Sequence, residues 1–137
     1  MTMQVADTPK FSVPGWLRST GAVVAGLATV VVLSTGADAV AHGVGFYPPL
    51  GEAQPGWTLI VALAYRTGFT VAAGYLTALL APRTGLKHAV VLGIIGTLLG
   101  ALGAVSMWSY GDQWYPIALT LLAVPSTWLG GWLRTRR

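Results

Sequence analysis

The chain has 137 residues, of which 54% are hydrophobic and only 9% are charged. A soluble domain carries about 25% charged residues, so this composition excludes an ordinary soluble domain and predicts a membrane protein. The sequence contains no cysteine, which excludes disulfides, thiolate nucleophiles and thiolate metal sites. We read the net charge of +4 as a topology signal and expect no nucleic-acid partner.

Four apolar runs account for most of the chain, at about 19–41, 57–81, 88–107 and 115–133. Each run has the ~20 residues that a helix needs to cross a hydrocarbon core about 30 Å thick. We therefore predict an all-α, integral membrane four-helix bundle that forms a single domain over residues 16–137. Residues 1–15 are polar, contain proline and lack an apolar period, which predicts a mobile N-terminal tail.

The first apolar run has an alternative interpretation as a cleavable signal peptide. Lys10 and Arg18 precede its apolar core, and the segment 37–41 contains the small-x-small pattern of a cleavage site. The charged leader is long for such a signal. We therefore expect an uncleaved first span.

The second run carries an arginine, Arg66, in its interior. An arginine at the centre of a membrane helix costs about 2.5–3.5 kcal/mol on insertion scales, so it requires a partner or water. Asp38, near the end of the first run, is the one acidic residue in any other apolar run. Arg66 follows Trp57 by nine residues, about 13 Å of helix, and its long side chain can reach outward. The sequence therefore predicts an Asp38–Arg66 ion pair between antiparallel spans.

Other polar residues are placed to join this pair. Thr35 and His42 share the Asp38 face of span one, while Tyr65 precedes the arginine and Thr70 follows it by four residues. We expect the threonines and Tyr65 to be hydrogen-bond partners and His42 to lie just above the pair. The loop 43–56, rich in glycine and proline, is expected to cap the site. The predicted cluster comprises Asp38, Arg66, His42, Thr35, Thr70 and Tyr65.

Small residues predict where the helices meet. In span three, Ala89 and four glycines repeat with spacings of four and three, and span two has a stripe of its own that includes Gly74. Small residues let helix backbones approach closely in lipid. The partner of this face is either a neighbouring helix or a second subunit, so a homodimer and a larger membrane complex stay as alternatives. The predicted seam comprises Gly93, Gly96, Gly100, Gly103 and Gly74.

Lysine and arginine are distributed unevenly between the connections. Two precede span one, two lie between spans two and three, and three follow span four, while the other two loops have none. The positive-inside rule then predicts a multi-pass protein with both termini cytoplasmic, N-in/C-in. Four residues at this face are predicted to contact membrane lipid headgroups: Arg83, Lys87, His88 and Arg134.

Several short motifs are spread over residues 57–133. They are Tyr65-Arg66-Thr67, Gly74-Tyr75-Leu76-Thr77-Ala78, Leu80-Ala81-Pro82, His88-Ala89 with Leu92-Gly93 and Gly96, Trp114-Tyr115-Pro116, and Pro125 to Gly130-Gly131. Together they resemble those of a group of small four-span bacterial inner-membrane proteins. The resemblance implies a bundle in the bacterial inner (plasma) membrane and supplies no activity or site residues.

Two functions are compatible with an intramembrane charge pair. A self-neutralising pair fixes helix register, and on this basis we expect a structural or accessory role. Because proton relays and substrate sites also need such residues, the alternative is an oligomeric proton- or cation-coupled small-molecule transporter or channel that uses Asp38. Small multidrug exporters resemble this chain in size only, since their essential glutamate lies in the middle of span one.

Catalysis is not expected from this residue set. His88 is predicted at the opposite membrane face from Asp38 and His42, so the topology brings no Ser-His-Asp set together. Two histidines and four acidic residues, divided between both faces, do not predict a metal site. We therefore expect neither an enzyme nor a cofactor.

Overall fold

The computed structural model describes residues 14–49, 52, 55–106, 108–110 and 113–136. All four α-helices of this part of the chain are long and apolar enough to cross a membrane. This confirms the predicted all-α architecture with four candidate spans, whereas most of the predicted tail 1–15 lies outside the described residues. The helices are α1 (Gly15–Gly43), α2 (Gly56–Leu80), α3 (Gly85–Ser106) and α4 (Trp114–Thr135), with a 3₁₀ turn (Trp108–Tyr110) before α4.

The helix ends follow local backbone chemistry and lie within four residues of the ends of the apolar runs. Pro14 and Pro55 precede α1 and α2 in an extended conformation, and their carbonyls accept hydrogen bonds from first-turn amides. At the other end of α2, Ala81 is extended because it precedes Pro82. Proline therefore marks both ends of α2.

A glycine turn ends α1 and reverses the chain. Gly45 has a φ of +80°, the left-handed conformation that glycine adopts at low cost. The Phe46 amide donates to the Ala41 carbonyl at 2.9 Å and the Gly45 amide donates to that of His42 at 3.2 Å, which together form a Schellman motif. The turn brings the following residue, Tyr47, back against the helices, where it is 4% exposed.

The helices are not equivalent in the bundle. α2 contacts each of the other three, and α4 packs extensively against both α2 and α3. α1 packs mainly against α2 and less against α3, and it makes no contact with α4 among the described residues. The fold is therefore a compact group of α2, α3 and α4, with α1 attached to it mainly through α2 and less through α3.

The interior of the bundle consists mostly of alanine, glycine and threonine. The largest fully buried side chains are Thr58, Thr77 and Thr127, and the Thr77 hydroxyl donates to the Ala22 carbonyl at 3.2 Å, which links α2 to α1. Large apolar side chains cover the outside instead, as expected where lipid is the solvent. Small residues at the contacts then increase dispersion between backbones, the main source of helix association in a membrane.

Glycines determine how closely α4 approaches its neighbours. A Cβ atom on Gly74 of α2 would lie 2.7 Å from the Thr127 Cα, and one on Gly130 of α4 would lie 2.7 Å from the Tyr75 amide nitrogen. On α3, a Cβ on Gly93 would meet the Val124 Cα at 2.8 Å. These distances leave no room for a side chain, so each glycine is required by a close backbone contact.

The predicted seam on α3 is correct for most of its length and wrong at one end. Gly96 and Gly100 face Ala123 and Thr120 of α4, but Gly103 is exposed and has no atom within 4 Å of the position of a Cβ. Ala104 is buried instead, four residues after Gly100. The contact stripe thus continues by a step of four, and the predicted step of three turns Gly103 away from α4.

Replacing Gly130 with alanine tests the close contact between α2 and α4. The added Cβ would meet backbone atoms of Val71 and Tyr75, so the two helices must separate. We expect Gly130→Ala to lower the free energy of unfolding by about 1–3 kcal/mol, the usual cost of overpacking. Reversible unfolding in lipid bicelles measures this change. Gly103→Ala is the matched control and should cost nothing, so equal losses in the two variants would contradict the packing described here.

Candidate functional site

The ion pair predicted between the first two spans is present. The Arg66 guanidinium of α2 donates through Nη2 to Oδ2 of Asp38 on α1. About three-tenths of each side chain remains exposed, so the pair lies at the edge of the bundle and not at its centre. Asp38 precedes the end of α1 by little more than one turn, and the arginine side chain extends toward it from the adjacent helix.

A tyrosine on α2 completes the bonding of the carboxylate. Tyr65 is the residue before Arg66, and its hydroxyl donates to Oδ1 of Asp38. One carboxylate therefore receives a charged donor and a neutral donor from consecutive residues of α2. Both oxygens have a partner, as is required of an ionised group in a region of low dielectric constant.

A second tyrosine connects this arrangement to the loop after α1. The hydroxyl groups of Tyr47 and Tyr65 are 2.5 Å apart. Because Tyr65 uses its single proton to bond Asp38, Tyr47 must be the donor of this second bond. The result is a chain of hydrogen bonds that runs from Tyr47 through Tyr65 to the carboxylate, in which each bond polarises the next.

His42 supports the loop and does not contact the ion pair. Its Nδ1 lies 3.2 Å from the Pro48 carbonyl, and its ring meets the Tyr47 ring edge-on at 5.2 Å. A carbonyl can only accept, so Nδ1 carries a proton. We define the Asp38 cluster as Asp38, Arg66, Tyr65, Tyr47 and His42.

Two of the predicted hydrogen-bond partners are not part of the Asp38 cluster. Thr35 is exposed, because the inward face of α1 runs from Ser34 to Asp38 by a step of four and Thr35 lies about 100° around the helix from Ser34. The Thr70 hydroxyl donates to the backbone carbonyl of Arg66 at 2.8 Å and not to a side chain. A threonine in a membrane helix satisfies its hydroxyl most easily on the carbonyl one turn earlier.

Two tyrosines near the site, Tyr47 and Tyr115, are absent from the cluster predicted from the sequence. Tyr47 lies in the cluster, and its position depends on the turn at Gly45, which the glycine content of the loop could have indicated. Tyr115, at the start of α4, is partly buried and close enough to Asp38 and Arg66 for their charges to act on its hydroxyl. It brings a third helix to the edge of the site.

A cavity of about 170 Å³ lies beside Arg66, between all four helices. Two polar atoms of its lining side chains, Ser34 Oγ and Arg66 Nε, are buried and have no hydrogen-bond partner within the described part of the chain. The cavity therefore places internal space beside the charge pair. Its lining residues are Leu27, Val30, Ser34, Arg66, Thr67, Thr70, Leu92, Gly93, Gly96, Gly100, Leu119, Leu122, Ala123, Ser126 and Thr127.

The basic residues lie at the opposite end of the bundle. Arg83 and Lys87 are exposed, and Arg134 is partly buried. His88 contacts protein on both ring nitrogens, with Nε2 at 2.8 Å from the Ser19 hydroxyl and Nδ1 at 3.0 Å from the Thr84 carbonyl. His88 therefore links α3 to α1, while lipid-headgroup contact by these residues stays a prediction.

The Asp38 cluster joins α1, α2 and the loop between them through hydrogen bonds and one ion pair. Asp38 is bonded to Tyr65 and Arg66 of α2, and Tyr65 is bonded in turn to Tyr47 of the loop. Among the described residues, no three His, Asp or Glu side chains lie together as metal ligands do. Comparisons with protein-family models, curated proteins and solved structures found no match, so the interpretation of the site depends on its own geometry.

Tyr65→Phe tests the hydrogen-bond chain. The change removes the donor to Asp38 and the acceptor of Tyr47 but keeps the ring, so two polar groups lose their partner. We expect a loss of about 1–3 kcal/mol in the free energy of unfolding, the range for unsatisfied buried groups. Unfolding in bicelles measures it. Tyr75→Phe, at an exposed position of the same helix, is the matched control; if both variants unfold like the wild type, the chain of bonds does not stabilise the fold.

Proposed function

We propose that this chain is a multi-pass protein of the bacterial inner membrane with a structural or accessory role. The observation that carries the proposal is the bonding of Asp38. Each of its carboxylate oxygens accepts a hydrogen bond from a residue of α2. One of these residues, Tyr65, is hydrogen-bonded in turn to Tyr47 of the loop. A carboxylate whose two oxygens both accept hydrogen bonds from α2 is already occupied by the protein, which suits a structural role better than the binding and release of a cation.

The attachment of α1 explains what the Asp38 cluster stabilises. The buried residues of α1 are Ala22, Gly26 and Ser34, and none of the residues 35–43 is buried. The last two turns of the helix therefore have little packing to hold them against α2. The ion pair and the loop bond supply that attachment, because an unpaired Arg66 would otherwise remain in an apolar helix.

The proposed orientation places both termini in the cytoplasm. The contact between His88 and Ser19 brings the start of α3 to the start of α1, and so gathers Arg18, Arg83 and Lys87 at one end of the bundle. Arg134 lies near the end of α4, which reaches the same end by alternation of the helices. One face rich in cations supports the positive-inside assignment.

The second candidate is an oligomeric transporter or channel that is coupled to protons or cations through Asp38. The observation in its favour is the cavity that adjoins Arg66 between the four helices. A substrate path through so small a bundle would need a further subunit, either a second copy or another membrane protein. An accessory subunit would instead dock on a larger membrane complex through its exposed helix faces.

Changing the charges one at a time and together distinguishes the two candidates. Asp38→Asn leaves Arg66 without a counter-ion, whereas Asp38→Asn combined with Arg66→Gln removes both charges. If the pair has a structural role at the edge of the bundle, we expect the single change to lower the free energy of unfolding by about 1–3 kcal/mol, which lies between the values for surface and buried pairs. The double variant should recover most of this loss. Glu52→Gln, in the exposed loop, serves as the control.

The same variants in vesicles supply the functional readout. Proteoliposomes with an internal pH-sensitive dye are subjected to a proton gradient and then to a Na⁺ or K⁺ gradient. The structural proposal predicts the same dye response in wild type, in the double variant and in empty vesicles. A flux in the wild type that disappears in the correctly folded double variant would replace it with the transport candidate.

A further inference from the structure

The cavity between the helices results from the way α1 is attached. The backbones of α1 and α4 do not approach each other closely in the described part of the chain, which leaves between them a space that all four helices line and that is partly open to the outside. This space holds about 170 Å³. A cavity of about 150 Å³ accommodates benzene, so a molecule of roughly six to seven non-hydrogen atoms fits here.

Ser34 is the side chain that points to a ligand. It is 6% exposed, and its hydroxyl has no partner among the described residues. Hydroxyls elsewhere in these helices donate to a carbonyl one turn earlier, as those of Thr29, Thr70 and Thr120 do. A buried hydroxyl that lines a cavity and lacks even this bond has both a donor and an acceptor available.

Arg66 supplies a second unused donor in the same lining. Its Nη2 is bonded to Asp38, whereas its buried Nε has no partner in the described residues. Because Asp38 already balances the arginine charge, an anion in the cavity would leave an uncompensated charge in a region of low dielectric constant. The cavity therefore favours a neutral molecule with a strong hydrogen-bond acceptor.

The rest of the lining determines the body of such a molecule. Leu27, Val30 and Leu92 contribute apolar surface, and Leu119 and Leu122 of α4 extend it. A short hydrocarbon segment fits against this wall. A pure hydrocarbon would leave Ser34 and Arg66 Nε buried without a partner, which is unfavourable.

From these observations we propose that the cavity binds a small uncharged carbonyl compound, a primary carboxamide or an undissociated carboxylic acid, whose hydrocarbon chain has three or four carbons besides the carbonyl carbon. The carbonyl oxygen accepts from the unpaired donors of Arg66 and Ser34. The amide or acid proton is donated to a hydroxyl oxygen of the lining. The Asp38–Arg66 pair stays intact, so this binding site is independent of the structural role proposed above.

Pentanamide is the probe for this site. The wild-type protein in lipid nanodiscs is titrated with it, and binding is followed by the amide NMR shifts of cavity residues, with empty nanodiscs correcting for partition into lipid. We expect Ser34→Ala to weaken binding about tenfold, the equivalent of one hydrogen bond to a buried group. Ser106→Ala, whose hydroxyl donates to the Leu102 carbonyl outside the cavity, should bind like the wild type.

Charge and space provide two further arms of the same experiment. Pentanoate at pH 8 has the same length and a negative charge, and we expect it to bind at least tenfold more weakly than pentanamide. Val30→Phe fills the cavity from α1 and should abolish the shifts. Three results would each overturn the proposal. They are an equal affinity of wild type and Ser34→Ala for pentanamide, a higher affinity for pentanoate than for pentanamide, and NMR shifts no larger than those that partition into lipid causes.

Discussion

An ionised arginine inside an apolar helix must be paired or hydrated, and this requirement organises the structure around Arg66. The helix that carries it, α2, contacts all three other helices. Its counter-ion comes from α1, and the adjacent Tyr65 bonds the other oxygen of the same carboxylate. The charge therefore joins two helices and the loop between them, and it does so where α1 buries none of its residues.

Small residues and the charge pair divide the stabilisation of the bundle between them. Glycines bring α4 within backbone contact of α2 and α3, which makes these three helices a compact group. α1 lacks an equivalent contact with α4 and depends on α2, through the Thr77 hydroxyl near one end and Asp38 near the other. The separation of α1 from α4 leaves internal space, and the partly unsatisfied arginine and serine side chains adjoin it.

The parts of this structure that sequence could predict depend on one helix or on one pair of charges. Run length predicts the four spans, and the pairing of Asp38 with Arg66 follows from the scarcity of charge. The role of Tyr47 depends on a turn that reverses the chain at Gly45, and Thr35 and Gly103 were misplaced because a face on one helix does not specify its orientation toward a neighbour. The cavity depends on four helices at once, so no local pattern indicates it.

The most direct test of the central claim is a solid-state NMR measurement of the dipolar coupling between the Asp38 side-chain carboxyl carbon and the Arg66 guanidinium nitrogens. The protein is labelled at both residue types and embedded in lipid bilayers, and Asp38→Asn and Arg66→Gln samples assign the signal. The structure predicts a strong coupling, as for directly hydrogen-bonded groups. Absence of that coupling would contradict the claim that this pair attaches α1 to the bundle.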